Sequence, residues 1–252
     1  MKFTTLLIDA DVLLHRAVAK ATTRVKFDEV ESWEVDVRQA GGWIRQELSR
    51  YKARLAGTTH PKMILALGDR AANFRKELCP TYKANRTSFP KPPGFLALEG
   101  KLRAHAKVVS APRLEGDDIL GILATQPREE GSAVIVSIDK DLLQVPGWNY
   151  NPDKDELQEV TPEAGAMRHL TQTLTGDRVD GYPGCPGVGP VKAAKILAGA
   201  EEPPDAWHVV VEAYEKAGQT EEQALLQARL AWVLRADDYD KRTKEIKLWT
   251  PE

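Results

Sequence analysis

Residues 3–8 form a short apolar run that stops at Asp9, and residues 12–20 then place their apolar positions at helical spacing. Trp43, Ile44, Leu48, Tyr51 and Leu55 repeat the helical period, with Arg45, Arg50 and Lys52 on other faces. Residues 63–67 read as a buried strand closing at Gly68-Asp69, and Val108-Val109 as a third, short one. Residues 117–125 predict a helix that turns Ile119, Leu120, Ile122 and Leu123 inward, and residues 133–138 the clearest strand, ending at Asp139. Strand followed by helix predicts an α/β fold. After about residue 160 no strand pattern appears, and residues 221–236 form an amphipathic helix offering Leu225, Leu226, Ala228, Leu230 and Val233 to a core. Strands are therefore expected in the first 150 residues and helices in the rest. Two stretches break the alternation. Residues 87–94 (TSFPKPPG) carry three prolines and predict a loop or mobile segment. Residues 181–190 (GYPGCPGVGP) are punctuated by Gly and Pro just before a helical pattern.

The chain has 252 residues, 42% hydrophobic and 29% charged, enough for a core without covalent staples. Its longest apolar runs fall far short of a membrane span, and the amino-terminal apolar stretch meets Asp9 too soon for a signal peptide. Two cysteines, Cys79 and Cys185, build neither a disulfide framework nor a thiolate metal cluster. A reducing cytoplasm is the expected compartment, and no membrane partner is expected. The net charge of −2 conceals a basic middle: from Arg70 to Lys107 there are nine Lys or Arg against two acids, Glu77 and Glu99. Such a stretch suits either a solvated face or phosphate binding.

The acids fall at the ends of elements. Asp9 and Asp11 close the first strand and Asp69 the second; Glu115, Asp117 and Asp118 open a helix; Asp139 and Asp141 close the best strand; Asp177 and Asp180 flank a turn. In an open parallel sheet the crevice lies at the carboxyl ends of the strands, where these side chains would converge. Asp139 and Asp141, two apart, point the same way if extended, and Glu115 and Asp118, three apart, share a helix face. Any one of these acids reads equally as a turn or cap residue. As a set, bare carboxylates about 4 Å apart would repel by about 4 kcal/mol per pair at an effective dielectric of about 20. Hard oxygen donors without His or Cys suit Mg²⁺ or Mn²⁺, and two such ions about 4 Å apart are a device for in-line displacement at phosphorus. Residues 184–192 have the form of a helix–hairpin–helix: G-x-G turns that let backbone approach phosphate, then Lys192 and Lys195 one turn apart.

These residues together resemble the 5′-nucleases, or flap endonucleases and structure-specific 5′–3′ exonucleases, in particular the bacteriophage DNA exonuclease branch of the T7 type. The likeness runs through Ile8-Asp9-Ala10-Asp11, Arg75-Lys76-Glu77-Leu78 with Tyr82-Lys83-Ala84-Asn85-Arg86, and Leu114-Glu115-Gly116-Asp117-Asp118. It continues through Asp139-Lys140-Asp141, Gly176-Asp177-Arg178-Val179-Asp180-Gly181, the hairpin, and the tail Lys244-Glu245-Ile246-Lys247-Leu248-Trp249. The resemblance implies a mostly parallel central sheet with flanking helices, the PIN-like 5′-nuclease core, over residues 1–160. A basic arch would lie at about 70–107, and a helical duplex-binding part over 161–252, with its helix–three-turn–helix at about 176–197. It implies a metal site of Asp9, Asp69, Glu115, Asp117, Asp118, Asp139, Asp141, Asp177 and Asp180, holding two Mg²⁺ (or Mn²⁺). Lys83 and Arg86 match the basic pair that steers and polarises the scissile phosphate, Tyr82 an aromatic that stacks on a terminal base, and Arg16 an arginine near the site. Arg75, Lys76, Gly184, Gly187, Gly189, Lys192 and Lys195 match DNA contacts, with K⁺ at the hairpin. The implied partner is duplex DNA with a 5′ end, flap or nick, or an RNA–DNA hybrid, met by a monomer.

Asp11 is an extra acid relative to other branches, and the arch region is short and proline-rich. His15, His60, His105, His169 and His208 fit no ligand pattern. Asp9-Ala10-Asp11 after a strand also fits a haloacid dehalogenase-type phosphatase, but that reading leaves Glu115–Asp118, Asp139–Asp141 and the hairpin unused. A PIN-type ribonuclease would lack the hairpin, and an inactive DNA-binding homologue would be expected to lack several of the acids.

Overall fold

The strand β1 (Thr5–Asp9) is buried along its whole length. Its alternation serves two cores: Leu6 and Ile8 pack on one face of the sheet and Leu7 on the other. The computed structural model describes residues 2–27, 30–85, 94–128, 131–199 and 203–251. On either side of β1 lie β4 (Lys62–Ala66) and β6 (Ala133–Val136), both parallel to it. β5 (Val108–Val109) and β7 (Gly147–Asn151) extend the parallel array, and β8 (Glu156–Val160) closes one edge antiparallel, giving the order β5-β4-β1-β6-β7-β8. Near-continuous apolar strands are what a sheet covered on both faces requires.

Helices α1 (Ala10–Ala21), α2 (Val37–Leu55) and α4 (Phe95–His105) supply the Leu13, Leu14, Ile44 and Phe95 side chains of the first core. Helix α5 (Gly116–Thr125) and the returning tail, through Trp232, Val233 and Leu234, supply the second. Helices α6 (Pro162–Thr175), α7 (Pro190–Leu197), α8 (Pro203–Lys216) and α9 (Glu221–Ala231) enclose a third core around Leu174, Tyr214 and Ala224.

The structure adds two hairpins that periodicity did not signal: β2 (Thr22–Phe27) with β3 (Val30–Val35), and β7 with β8, which carries strand structure to residue 160. In β7 and β8 the polar and apolar positions are mixed, with Tyr150 buried in the first core and Glu156 and Glu159 exposed, so neither a clean alternation nor a continuous apolar run marks them. The last helix stops at Ala231 rather than 236, because residues 232–234 leave it to enter the sheet-side core, where the Leu234 N–H donates to Asp118. Apolar residues 232–234 continue the helical pattern but belong to a different element. The proline-rich residues 87–93 lie outside the described residues.

Candidate active site

Asp9 ends β1 and caps α1, accepting the Val12 N–H at 3.0 Å on one oxygen and the Ser137 hydroxyl at 2.7 Å on the other. Burial, with the charges of Asp11 and Asp139 nearby, pushes its carboxyl up to about 6 despite those two bonds. Asp117, in the first turn of α5, is pushed well above the carboxylate range by burial and then by Asp9 and Asp139. Asp141 is pushed up to about 6 by burial and then by Asp139 and Asp177. Its Oδ1 is buried without a hydrogen-bond partner among the described residues. Asp139 caps a 3₁₀ turn (Lys140–Gln144) by accepting the Asp141 N–H at 2.9 Å. The two acids are therefore on a turn, and not side by side on an extended strand as their spacing suggested.

The opposite wall comes from the segment after α3 (Phe74–Leu78) and from residues 177–182. Lys83 has φ of +53°, and its N–H donates to the Asp180 carbonyl at 2.7 Å. The Lys83 ammonium pairs with Glu115 and lies 3.4 Å from Asp180. Burial raises the Glu115 carboxyl, but Lys83 and Arg75 outweigh it and hold the group at about 2. Asp177 accepts the Val179 N–H at 2.7 Å and the Asp180 N–H at 3.1 Å, which shapes the turn.

Asp9, Asp11, Asp69, Glu115, Asp117, Asp139, Asp141, Asp177 and Asp180 thus line one cleft of about 890 Å³, together with Arg16, Lys76, Lys83 and Lys140. It opens at the carboxyl ends of β1, β4 and β6. Among the described residues no three His, Cys, Asp or Glu side chains are already drawn close enough to form a closed ion site. Asp69 faces the cleft, but accepts the Ala71 N–H at 2.9 Å and the Arg113 N–H at 2.8 Å, bonds that hold it below the usual carboxylate range. Asp11 ties α1 to the loop after β4, its Oδ2 accepting the Gly68 N–H at 2.8 Å. A Cβ on Gly116 would come within 2.9 Å of that oxygen, so the helix carrying Asp117 packs against this carboxylate. Arg16 stands at the cleft edge, paired with Asp153 at 2.8 Å.

Three expectations are corrected. Asp118 is fully buried and takes a two-pronged bond from Arg75, with the Glu115 and Leu234 N–H groups on the same oxygens. It points away from the cleft and has no oxygen to spare for an ion. Arg75, read as a DNA contact, is 3% exposed and cannot reach DNA. Tyr82, read as a base-stacking aromatic, is buried; its hydroxyl donates to Glu115 at 2.8 Å and lies 3.2 Å from Asp180, while its ring stacks on Tyr182. Arg86 lies outside the described residues.

In the hairpin, Gly184 is buried with φ of +69°, and a Cβ there would come within 2.3 Å of the Gly176 nitrogen. Its missing side chain serves this chain's own packing rather than an approaching phosphate. Gly187 and Gly189 are exposed, and so are Lys192 and Lys195 around the start of α7; the Lys192 ammonium donates to the Gly187 carbonyl at 2.8 Å. Sequence reasoning passed over Ser137 and Lys140. Ser137 sits two residues before Asp139, where a strand's last hydroxyl can reach the neighbouring strand's end. Lys140 lies between two of the acids it was read alongside.

An acid-lined cleft at the carboxyl edge of a parallel sheet, with lysines among the acids, is the kind of site that metal-dependent phosphate-ester hydrolases use. Comparison with known proteins gives the family. Residues 4–164 match the model of the 5′-3′ exonuclease, N-terminal resolvase-like domain. The chain is 32% identical to the exodeoxyribonuclease of Enterobacteria phage T3, over 98% of this chain and 92% of that one. It is 30% identical to the exonuclease of Escherichia phage T7, over 98% and 93%. The fold is that of the T5 5′-exonuclease with bound zinc, at TM-score 0.62 and 14% identity, covering 90% of this chain and 88% of the other. The chain belongs to the 5′–3′ exonuclease family. It is a nuclease of that class, and neither the phosphatase nor the ribonuclease reading is needed.

Proposed function

We propose that the protein hydrolyses DNA phosphodiesters near the 5′ ends of duplexes, flaps or nicks, with divalent cations held by the cleft acids. The observation that carries this is the convergence of nine carboxylates on one cleft, with buried Asp9 and half-buried Asp141 both pushed up to about 6. Such a set is relieved by cations.

The residues fit Mg²⁺ or Mn²⁺. Every donor is a hard oxygen, and Asp141 Oδ1 is buried with no partner among the described residues. Asp9, Asp117, Asp139 and Asp141 would hold one ion group, with Glu115, Asp177 and Asp180 flanking it; Asp118 is excluded by its bonds to Arg75. When bound, the ions supply Lewis acidity toward phosphorus and neutralise its leaving oxygen. Lys83, held between Glu115 and Asp180, presents its ammonium inside the cleft, where it stabilises charge that grows on the phosphoryl oxygens. Lys76 and Lys140, exposed at the cleft wall, draw in the phosphate backbone. Ser137 and the Val12 N–H fix the orientation of Asp9.

The exposed turn at Gly187 and Gly189 and the amino-terminal amides of α7 would grip one duplex strand away from the cleft, with Lys195 on a phosphate. K⁺ at the turn would compete with Lys192 for the Gly187 carbonyl. The reading includes RNA–DNA hybrids as substrates and a monomer as the working form. It places the protein in the cytoplasm of the cell that makes it; no helix among the described residues is long and apolar enough to cross a membrane.

The test is cleavage of 5′-labelled duplex, flap, nicked and RNA–DNA substrates in Mg²⁺, Mn²⁺ and EDTA. Metal-dependent products released from the 5′ side, lost in Asp117→Asn, support the reading. Metal-independent cleavage, or release from 3′ ends, overturns it.

A further inference from the structure

Arg75 uses all of its donors. Nε donates to the Leu230 carbonyl at 3.0 Å. Nη1 donates to Glu115 at 3.0 Å and to Asp118 at 2.8 Å. Nη2 donates to Asp118 at 2.7 Å and to the Trp232 carbonyl at 2.5 Å. A guanidinium with five planar donors can do this; a lysine ammonium with three cannot. The partners come from three parts of the chain: the start of α5, the last turn of α9, and the segment by which the tail returns to the sheet.

Asp118 alone already neutralises the Arg75 charge, and it is itself saturated by Arg75 and by the Glu115 and Leu234 N–H groups. A purely structural ion pair would need nothing more. The additional bond from Nη1 goes to Glu115, whose carboxylate lines the cleft and which also receives Tyr82 and Lys83. We infer that Arg75 is a positioning residue for the reaction: it clamps the Glu115 carboxylate in the cleft and ties its place to the carbonyls of Leu230 and Trp232. The inference rests on the reading of this cleft as the hydrolytic site.

The two are tested separately on the full chain, with Arg75→Lys, Glu115→Gln and the double variant. Arg75→Lys keeps the charge and loses the fork. Circular dichroism and Tm establish that each variant is folded. Single-turnover cleavage of 5′-labelled duplex in Mg²⁺ should fall about 10- to 100-fold in Arg75→Lys, the usual cost of a misplaced supporting group. Duplex affinity in EDTA should stay at the wild-type value, since Arg75 does not touch DNA. Calorimetric titration with Ca²⁺ alone should show affinity weakened about tenfold by Arg75→Lys in the wild-type background and not at all in Glu115→Gln.

An equal loss of Ca²⁺ affinity in both backgrounds, or an unchanged cleavage rate in Arg75→Lys, would overturn the role of Arg75 while leaving the site reading intact. A wild-type rate in Glu115→Gln would instead overturn the site reading, and the inference with it. Should Arg75→Lys not fold, Arg75→Met with Asp118→Leu removes the buried charges together and leaves neither unpaired. The same background-dependent Ca²⁺ result is then expected, and additive losses would overturn the proposal.

Discussion

Ser137 donates its hydroxyl hydrogen to Asp9 Oδ2 at 2.7 Å and accepts the Asp139 N–H at 3.0 Å on the same oxygen, so one small side chain sets both acids that end neighbouring strands. Ser137→Ala should leave a buried carboxylate oxygen short of a donor and free the turn at Asp139. The expected loss is about 1–2 kcal/mol in stability and about tenfold in cleavage rate, with duplex affinity in EDTA unchanged. Urea denaturation and single-turnover cleavage measure the two effects; a wild-type rate would show that Asp9 orients without the hydroxyl.

Asp117→Asn and Asp139→Asn should abolish cleavage and leave duplex binding in EDTA equal or tighter, because one negative charge fewer faces the phosphates. Asp117 is pushed up by burial and by Asp9 and Asp139, so its carboxylate opposes folding when no cation is present. Asp117→Asn should therefore raise Tm in EDTA, while Mg²⁺ should raise the Tm of the wild type more than that of the variant. Differential scanning calorimetry with and without Mg²⁺ decides; a lower Tm in EDTA would contradict the electrostatic account.

The Lys83 ammonium sits among acids rather than at the cleft mouth. Lys83→Ala should cost orders of magnitude in rate at saturating DNA and only about one unit of salt slope in affinity. Removing this cation also frees Glu115 from its strongest attraction. A collapse of affinity with turnover intact would make Lys83 a docking residue.

Gly189 has φ of −103°, and among the described residues no atom lies within 4 Å of where its Cβ would stand, so Gly189→Val is free of backbone strain and should fold. A branched side chain at this open position would hold a duplex strand off the turn. Cleavage of long duplexes should drop severalfold or more while that of a substrate too short to reach the hairpin stays the same. Gly184→Val, by contrast, should fail to fold, with its Cβ forced against Gly176. Equal losses on short and long DNA in folded Gly189→Val would remove the hairpin as a remote grip.

His169 is fully enclosed, with Nε2 at 2.8 Å from the Ala228 carbonyl and Trp232 and Trp249 against its ring, and burial lowers its imidazole from 6.5 to about 4. The folded chain holds it neutral while the unfolded chain protonates it below pH 6.5. The stability it provides is thus complete above pH 6.5 and is lost as the pH falls toward 4, by up to about 1.4 kcal/mol per pH unit. His169→Gln keeps a donor without titrating. The difference in urea stability between wild type and this variant should shrink steadily from pH 7 to pH 4.5; a constant difference would mean that His169 does not govern the acid limb.

The alternation of apolar runs with acidic ends was legible in the chain because both are local. A strand buried on both faces must be apolar along its length, and the residue that leaves it, such as Asp9 after Ile8, meets the cleft by topology alone. The same holds for α5 and for the exposed glycines before α7, whose chemistry depends on near neighbours in sequence. Whether a charged or aromatic residue serves the cleft or the interior was decided by partners far along the chain. Arg75 is saturated by carbonyls 155 and 157 residues away, and Asp118 is closed off by an N–H 116 residues away. Tyr82 is buried where its loop meets Tyr182. The tail leaves α9 at Ala231, and Trp232, Val233 and Leu234 are buried in the core against the sheet, where they keep apolar surface from water. Spacing along a sequence carries periodicity and element ends, whereas burial of a polar group is set by where the rest of the chain returns.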